Sequence, residues 1–342
     1  MRTDIRTGIA WLAVAVGVLL LTAAGVYPAA MAARALSADG ILSPDLVGLL
    51  HRSQQTLGAI LLALSPFAFA ASRVGRTADR ALAAGSDRAW FAVAAGLSLA
   101  ATYAVQSIAF GNIPHVTDAS SHLFQAKVFA LGRLFAPLPP CPEHFYQYNV
   151  FMTQAGRWFT VYPPGHALAL ALALKAGLVH VALPAAQAAL VVVASLLVRR
   201  FYGQATARAF AAVAATSPLL ILLGASYMSH TTALLFAAAG FACAARALDD
   251  AEKKPLRCFM AVASGFLLGM TAITRPQDAL LLAVPAALAL ALAFRSTRNA
   301  WPAAVLPFLA GVAVPAVLLG FWNARAFGSP FALGYGHSAE QL

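Results

Sequence analysis

The chain has 342 residues, of which 61% are hydrophobic and only 10% are charged, and its mean hydropathy is +0.76. A soluble domain carries about 25% charged residues, so these values exclude an ordinary water-soluble protein. The net charge of +11 does not indicate nucleic-acid binding, because the lysines and arginines fall in short clusters between apolar runs and form no continuous basic face.

The first apolar run, Ile9–Ala33, follows a short basic start and is longer than an ordinary signal-peptide core. It is predicted to cross the membrane, with cleavage near its small terminal residues as the alternative. Eight further runs are predicted to span the bilayer, each near the ~20 residues that a crossing requires. They cover residues 55–72, 89–110, 183–198, 209–226, 231–247, 258–274, 279–294 and 302–323.

The sequence therefore predicts an all-α integral membrane protein with about nine transmembrane helices. Residues 1–88 would contribute two N-terminal spans and a basic loop, and residues 89–342 one membrane domain. The short apolar stretch Ala167–Val181 contains Lys175 and is predicted to lie at the interface, or to dip into the membrane without crossing it. With that assignment most basic residues share the side of the N-terminus, which predicts a plasma (inner) membrane protein whose N-terminus is cytoplasmic.

One outer loop is long, running from about residue 111 to 182, and loops of more than ~15 residues are usually functional or disordered. Thr117 or Asp118 is predicted to cap a helix in this loop. An apolar stripe on that helix is predicted to lie along the membrane surface, where Lys127 and Arg133 attract anionic headgroups. The stripe consists of Phe124, Val128, Leu131 and Phe135, and the helix is predicted to end at Pro137, Pro139 and Pro140.

Rough alternation of apolar and polar residues around Gly156 predicts a hairpin further along the same loop. Two shorter outer turns follow, at residues 227–230 and 274–278. An acid, an arginine and several histidines are thus predicted at helix ends on one side of the bilayer, a set that can bind a phosphate and deprotonate a hydroxyl. The three cysteines form neither a CxxC metal motif nor an even disulfide framework.

These residues resemble polytopic glycosyltransferases of the GT-C fold, especially the family 39 relatives of protein mannosyltransferases and of the lipid A aminoarabinose transferase. The resemblance covers residues 89–342 and is carried by motifs in a shared order. They are Asp118 at the start of a surface helix, the YPPGH element beginning at Tyr162, the YMSHT turn, the TRPQDALLL turn and FGSPFALGYG near the C-terminus.

The resemblance implies transfer of a sugar from a polyprenyl-phosphate donor to a lipid, glycan or protein acceptor on the outer (periplasmic) face. Asp118 would be the general base, or an acid that helps to hold a divalent cation, the one cofactor suggested. Arg275 would bind the donor phosphate. Further candidates for the donor are Lys127, His122, His230 and Tyr162.

A second acid follows the third family span in some relatives, but Ser229 and His230 occupy that place here. Asp278 or Glu143 is the predicted substitute. Relatives commonly continue beyond the point that corresponds to Leu342, so the resemblance also allows a short form or a fragment. No nucleic-acid partner is expected.

Two other classes of protein fit the same composition. A polytopic transporter usually places charged residues near the bilayer midplane, whereas the predicted spans here hold almost no ionisable side chains. A non-catalytic assembly subunit is the other alternative, and such a subunit would be indifferent to Asp118→Ala.

Overall fold

The chain divides into two units, residues 1–84 and residues 85–342. The computed structural model describes residues 85–147, 149–249, 252–283 and 301–336, all within the second unit. The predicted spans Ile9–Ala33 and 55–72, and most of the span 279–294, lie outside the described residues.

The described residues are mostly helical, as the sequence predicts. A π-helical turn, Val105–Ala109, extends the first helix, and residues 276–283 begin another helix directly after Arg275. The α-helices with defined bounds are α1 Asp87–Ala104, α2 Thr117–Ala130, α3 Gly165–Lys175, α4 Val179–Tyr202, α5 Gln204–Thr216, α6 Pro218–Ala225, α7 His230–Ala247, α8 Lys254–Thr274 and α9 Trp301–Phe327.

Four of the described helices are long and apolar enough to cross a membrane: α1 with its extension, α4, α8 and the Ala304–Phe327 part of α9. The pair α5 and α6 adds a fifth if the two form one bent span. Helix α7, which carries His230 and Arg246 near its ends, is not among them. The described part thus supports a multi-pass membrane protein with four or five candidate spans, fewer than the six predicted there, and the predicted total of nine is not shown.

The predicted span 209–226 is broken because Pro218 starts a new helix. Ser217 is extended (φ −65°, ψ 116°), as the ring of a following proline favours, and its Oγ accepts a hydrogen bond from the Leu220 N–H at 3.5 Å. The helix axes differ by 54° across this break. A hydropathy pattern registers the continuous apolar run but not the bend.

Close helix contact in the bundle depends on small residues, as is common within membranes. A Cβ on Gly265 of α8 would collide with the Phe308 carbonyl of α9, and one on Gly311 of α9 would collide with the Val262 carbonyl of α8. The two backbones therefore touch at two points along their length. Helices α7 and α8, α1 and α4, and α4 and α7 also pack directly against each other.

A network of arginines and acids gathers where α1 and α5 begin and α4 and α7 end. Asp87 pairs with the fully buried Arg208 at 2.7 Å and with Arg199 at 2.9 Å, and Arg200 pairs with Asp249 at 2.9 Å. Three of the arginines that the sequence predicts on one side, Arg199, Arg200 and Arg208, therefore share one end of the described bundle. Their cytoplasmic location stays a prediction.

The long loop folds into helices and a small sheet. Strand β1 is Ala136–Pro137, β2 is Val150–Met152 and β3 is Arg157–Thr160, arranged antiparallel in the order β1-β3-β2. The predicted hairpin around Gly156, which has a positive φ of 76°, is confirmed. Helix α3 has 11 residues and is about 16 Å long, too short to cross a bilayer of ~30 Å, as predicted. Residues 179–181 belong to α4 instead.

Two predictions about α2 are wrong. Its N-cap is Val116, which makes no side-chain capping bond, so Thr117 and Asp118 lie in the first turn. The helix ends at Ala130, before the positive φ of Gly132, so the prolines do not end it, and Pro137 lies in β1.

The predicted surface stripe on α2 mostly faces protein. Val128 is buried, Phe124 contacts the ring of Trp158 at 4.6 Å between centroids, and Phe135 contacts that of Phe159 at 5.0 Å. Only Leu131, at 74% exposure, projects outward. The hairpin covers this side of the helix, which the sequence pattern alone does not reveal.

Candidate functional site

The site lies at the end of the bundle opposite the arginine network. Helices α2, α3 and α7 begin there, and α8 ends there with Arg275 as its C-cap. Contacts across these ends connect the elements: His166 of α3 bonds Thr232 of α7, and Arg275 bonds Ser229 just before α7. Unpaired backbone groups at helix ends attract polar side chains, which accounts for polar residues clustering there in an otherwise apolar chain.

Asp118 is partly buried and accepts two hydrogen bonds from side chains. Asn149 donates its Nδ2 to Oδ1 at 2.7 Å, and the Thr117 hydroxyl donates to the same oxygen at 3.3 Å. The hairpin therefore brings Asn149, 31 residues away in the chain, onto the acid. The side chain of Asp118 is held in one orientation, as a proton acceptor must be.

Tyr162 lies between Asp118 and the other polar groups. Burial, and after it the neighbouring Asp118 carboxylate, raises the pKa of the Tyr162 hydroxyl, so this group stays protonated at neutral pH. Its ring contacts that of His122 at 4.5 Å and that of Tyr335 at 6.1 Å. Glycine at position 334 lets the Tyr335 turn approach Val161 closely, because a Cβ there would collide with the Val161 carbonyl.

Arg275 supplies the positive charge of the site. Its Nε and Nη2 donate to the two carboxylate oxygens of Asp278, and its Nη1 donates to the Ser229 hydroxyl at 3.4 Å. The guanidinium is close enough to lower the pKa of His122, though less than burial does. With 19% of its side chain exposed, Arg275 is a positioned cation at the mouth of the cluster.

Two buried histidines form the floor of the site. His166 is fully buried, and its Nδ1 and Nε2 lie 3.0 Å from the Thr232 hydroxyl and the Tyr227 carbonyl. Burial lowers the pKa of His166 to about 4 and that of His122 well below its ordinary value, so both rings are neutral at pH 7. Nδ1 of His122 has no partner among the described residues. His122, predicted to help bind a donor phosphate, thus offers hydrogen bonding without positive charge.

The YMSHT turn joins this floor to a neighbouring polar network. Tyr227 is fully buried with a left-handed φ of 60°. Its carbonyl faces His166, while its hydroxyl lies 2.9 Å from Nδ1 of His180 and accepts from Nε2 of Gln106 at 3.3 Å. The turn therefore fixes the start of α7, including His230, relative to α1 and α4.

The YPPGH element requires its glycine for a steric reason. A Cβ on Gly165 would collide with the Thr274 hydroxyl and the Ile273 carbonyl, directly before Arg275. Glycine lets the start of α3, which carries His166, touch the end of α8.

Of the predicted site residues, six come together: Asp118, His122, Tyr162, His230, Arg275 and Asp278. Two do not. Lys127 lies nine residues after Asp118, about 180° around α2. Glu143 lies on the exposed turn Pro142–Phe145, where the nearest charged group, 3.9 Å away, is on the exposed His144.

Sequence reasoning missed Asn149, His166, Ser229 and Tyr335 as members of the site. His166 and Tyr335 stand inside quoted motifs, which was a usable signal, and Ser229 adjoins the predicted His230. Asn149 gave no signal, because its contact depends on the register of a hairpin.

The described residues offer no group of three His, Cys, Asp or Glu side chains arranged to bind a metal ion. No protein-family model, curated protein or solved structure matches the chain. The arrangement itself combines a fixed carboxylate, a guanidinium, two phenols and neutral imidazoles. Such a set can accept a proton on one side and stabilise an anion on the other.

Proposed function

We propose that the protein is a membrane glycosyltransferase that moves a sugar from a polyprenyl-phosphate donor to an acceptor hydroxyl at the outer (periplasmic) membrane surface. The observation that supports this proposal is that the YPPGH element contacts both α2 and α8. The Tyr162 ring contacts that of His122 in α2, and Gly165 touches α8 directly before Arg275. Asp118 of α2 and Arg275, more than 150 residues apart in the chain, are thereby brought into one cluster. A proton acceptor and a phosphate-binding cation are the two groups that this reaction needs.

The reaction would proceed as a single displacement. The acceptor oxygen bonds to the anomeric carbon, its proton passes to the Asp118 carboxylate, and the bond from that carbon to the phosphate oxygen breaks. The lipid phosphate departs with the electron pair. Arg275 stabilises the negative charge that develops on this phosphate. Such electrostatic stabilisation usually contributes more to the rate than proton transfer to a base does.

The arrangement favours one catalytic acid over two. Asp278 is engaged by the Arg275 guanidinium, so it serves to orient this cation. Glu143 lies outside the cluster on an exposed turn. Asp118 therefore has no second catalytic acid in this proposal, and no step requires a metal.

The test is complementation of cells that lack the gene, followed by mass analysis of their lipid-linked sugars. Because a positioned base contributes typically 10²–10⁴-fold, Asp118→Asn should leave donor accumulated as in the null cells. The matched control is Glu143→Gln, which removes an exposed carboxylate of the same loop and should restore normal levels like the wild type.

Purified Asp118→Asn protein should still bind polyprenyl phosphate, which shows that the site is folded. Normal donor levels with Asp118→Asn would contradict the role of this residue as base. If null cells accumulated no lipid-linked sugar, the transferase proposal itself would fail, and a transporter or an assembly subunit would take its place.

A further inference from the structure

A cavity of about 420 Å³ lies on the side of α2 that faces away from Asp118. Lys127, Leu123 and Phe124 form one wall, and Leu174 of α3 and Val179 of α4 form another. Nine residues of helix separate Lys127 from Asp118, so the two side chains leave α2 on opposite sides and about 13.5 Å apart along the axis. This cavity is thus distinct from the Asp118 cluster.

The cavity combines one positive charge with apolar walls. Lys127 is exposed, and its ammonium group makes no ion pair or hydrogen bond with any residue that the structure describes. Polar groups from Asn112, His180 and Tyr227 line the same space, and Oδ1 of Asn112 is buried without a described partner. An unpaired ammonium beside apolar side chains suits a ligand with an anionic head and a hydrocarbon chain.

The cavity also lies level with the ends of two candidate spans. Asn112 lies three residues after the end of the span Asp87–Ala109, and Val179 is the first residue of the span Val179–Tyr202. Spans end where the hydrocarbon of a bilayer gives way to headgroups. A lipid phosphate is therefore available at the depth of Lys127, with its chain directed along the apolar helices.

We propose that this cavity, with Lys127 as its cation, is a binding site for the phosphate headgroup of an anionic membrane lipid, separate from the donor site. The lysine supplies charge-assisted hydrogen bonds to the phosphate, and the apolar walls cover the first methylenes of the chain. The proposal does not rest on glycosyl transfer and would stand if that function failed.

The test measures lipid binding to the purified full chain by native mass spectrometry, with phosphatidylglycerol against zwitterionic phosphatidylcholine. The wild type should bind one phosphatidylglycerol about tenfold more tightly than phosphatidylcholine, the size of one partly exposed charge-assisted contact. Lys127→Gln should remove this preference. Lys175→Gln, which neutralises an exposed lysine near the end of α3 that does not line the cavity, should retain it.

A second variant separates the cavity from surface charge. Leu174→Trp fills the space while Lys127 remains, and it should also abolish tight binding of phosphatidylglycerol. Equal binding of both lipids to the wild type, or an unchanged preference in Lys127→Gln, would overturn the proposal. Displacement of the lipid by millimolar inorganic phosphate would also overturn the proposal, because it would indicate a site for free anions. Loss of the phosphatidylglycerol preference in Arg275→Gln, with the preference kept in Lys127→Gln, would place the lipid in the Asp118 cluster and overturn it as well.

Discussion

Arg275 is already partly neutralised by Asp278, and this determines how it can bind a phosphate. The pair fixes the guanidinium through Nε and Nη2, and Ser229 accepts from Nη1. A guanidinium has five N–H donors, so it retains donors for a ligand while its orientation is set. An arginine fixed in this way loses little side-chain freedom on binding a phosphate.

We expect Arg275→Gln to weaken binding of polyprenyl phosphate about 10–100-fold, because it removes charge-assisted hydrogen bonds to the phosphate. Arg275→Lys should give an intermediate affinity, since it keeps the charge and loses the planar fork. Titration of the purified variants with fluorescent polyprenyl phosphate provides the measurement. Arg133→Gln, a change of an exposed arginine just after α2, is the control, and wild-type affinity in Arg275→Gln would refute the phosphate role.

The sequence predicted part of this site because polar residues are rare in the chain and stand at helix ends. Asp118 and Arg275 are predicted in that way, whereas Tyr162 is predicted only by the resemblance of the YPPGH element. Lys127 shares α2 with Asp118, but a spacing of nine residues places the two side chains on opposite sides of the helix. Asn149 escaped prediction because its contact with Asp118 depends on the register of β2 against β3.

At the scale of elements, the sequence predicted most helices but not their breaks and ends. The bounds of α1, α4 and α8 follow the apolar runs, because burial and the bilayer both require them. The break at Ser217 and the end of α2 near Gly132 depend on local backbone geometry. A hydropathy average over many residues does not register the backbone geometry of one residue. The predicted helix bounds are therefore wrong at turns.

The position of Arg275 depends on the contact between α3 and α8. Gly165→Ala places a methyl group against Thr274 and the Ile273 carbonyl, so the two helices must separate. We expect the variant to lose about 1–3 kcal/mol of stability, as overpacking does, and to transfer sugar poorly. Thermal unfolding and the lipid-linked sugar assay provide the two measurements.

The control is Gly96→Ala in α1, where the added methyl group meets nothing within 4 Å. This change should leave activity unaltered and keep or raise the unfolding temperature, because alanine favours helix over glycine. If Gly165→Ala behaved like Gly96→Ala, the close contact of α3 with α8 would not position the site.

For the whole molecule, the two ends of the bundle differ in chemistry. One end holds Asp87 among Arg199 and Arg208, and the other holds the Asp118 cluster and the sheet. Because arginine-rich ends normally remain in the cytoplasm, this separation predicts that the cluster faces outward. A polyprenyl-phosphate donor is required only if it does, since nucleotide sugars are supplied in the cytoplasm.

The native cysteines allow a test of this orientation. Cys141 is exposed in the long loop, whereas Cys243 and Cys258 lie in α7 and α8 and are partly buried. A membrane-impermeant maleimide should therefore label the natural protein in right-side-out vesicles and fail to label Cys141→Ser. In the Cys141→Ser background, Lys254→Cys at the arginine-rich end should react only in inside-out vesicles. The reverse pattern would put Asp118 in the cytoplasm, and the outward orientation, the lipid-linked donor and the proposed transfer would then all be wrong.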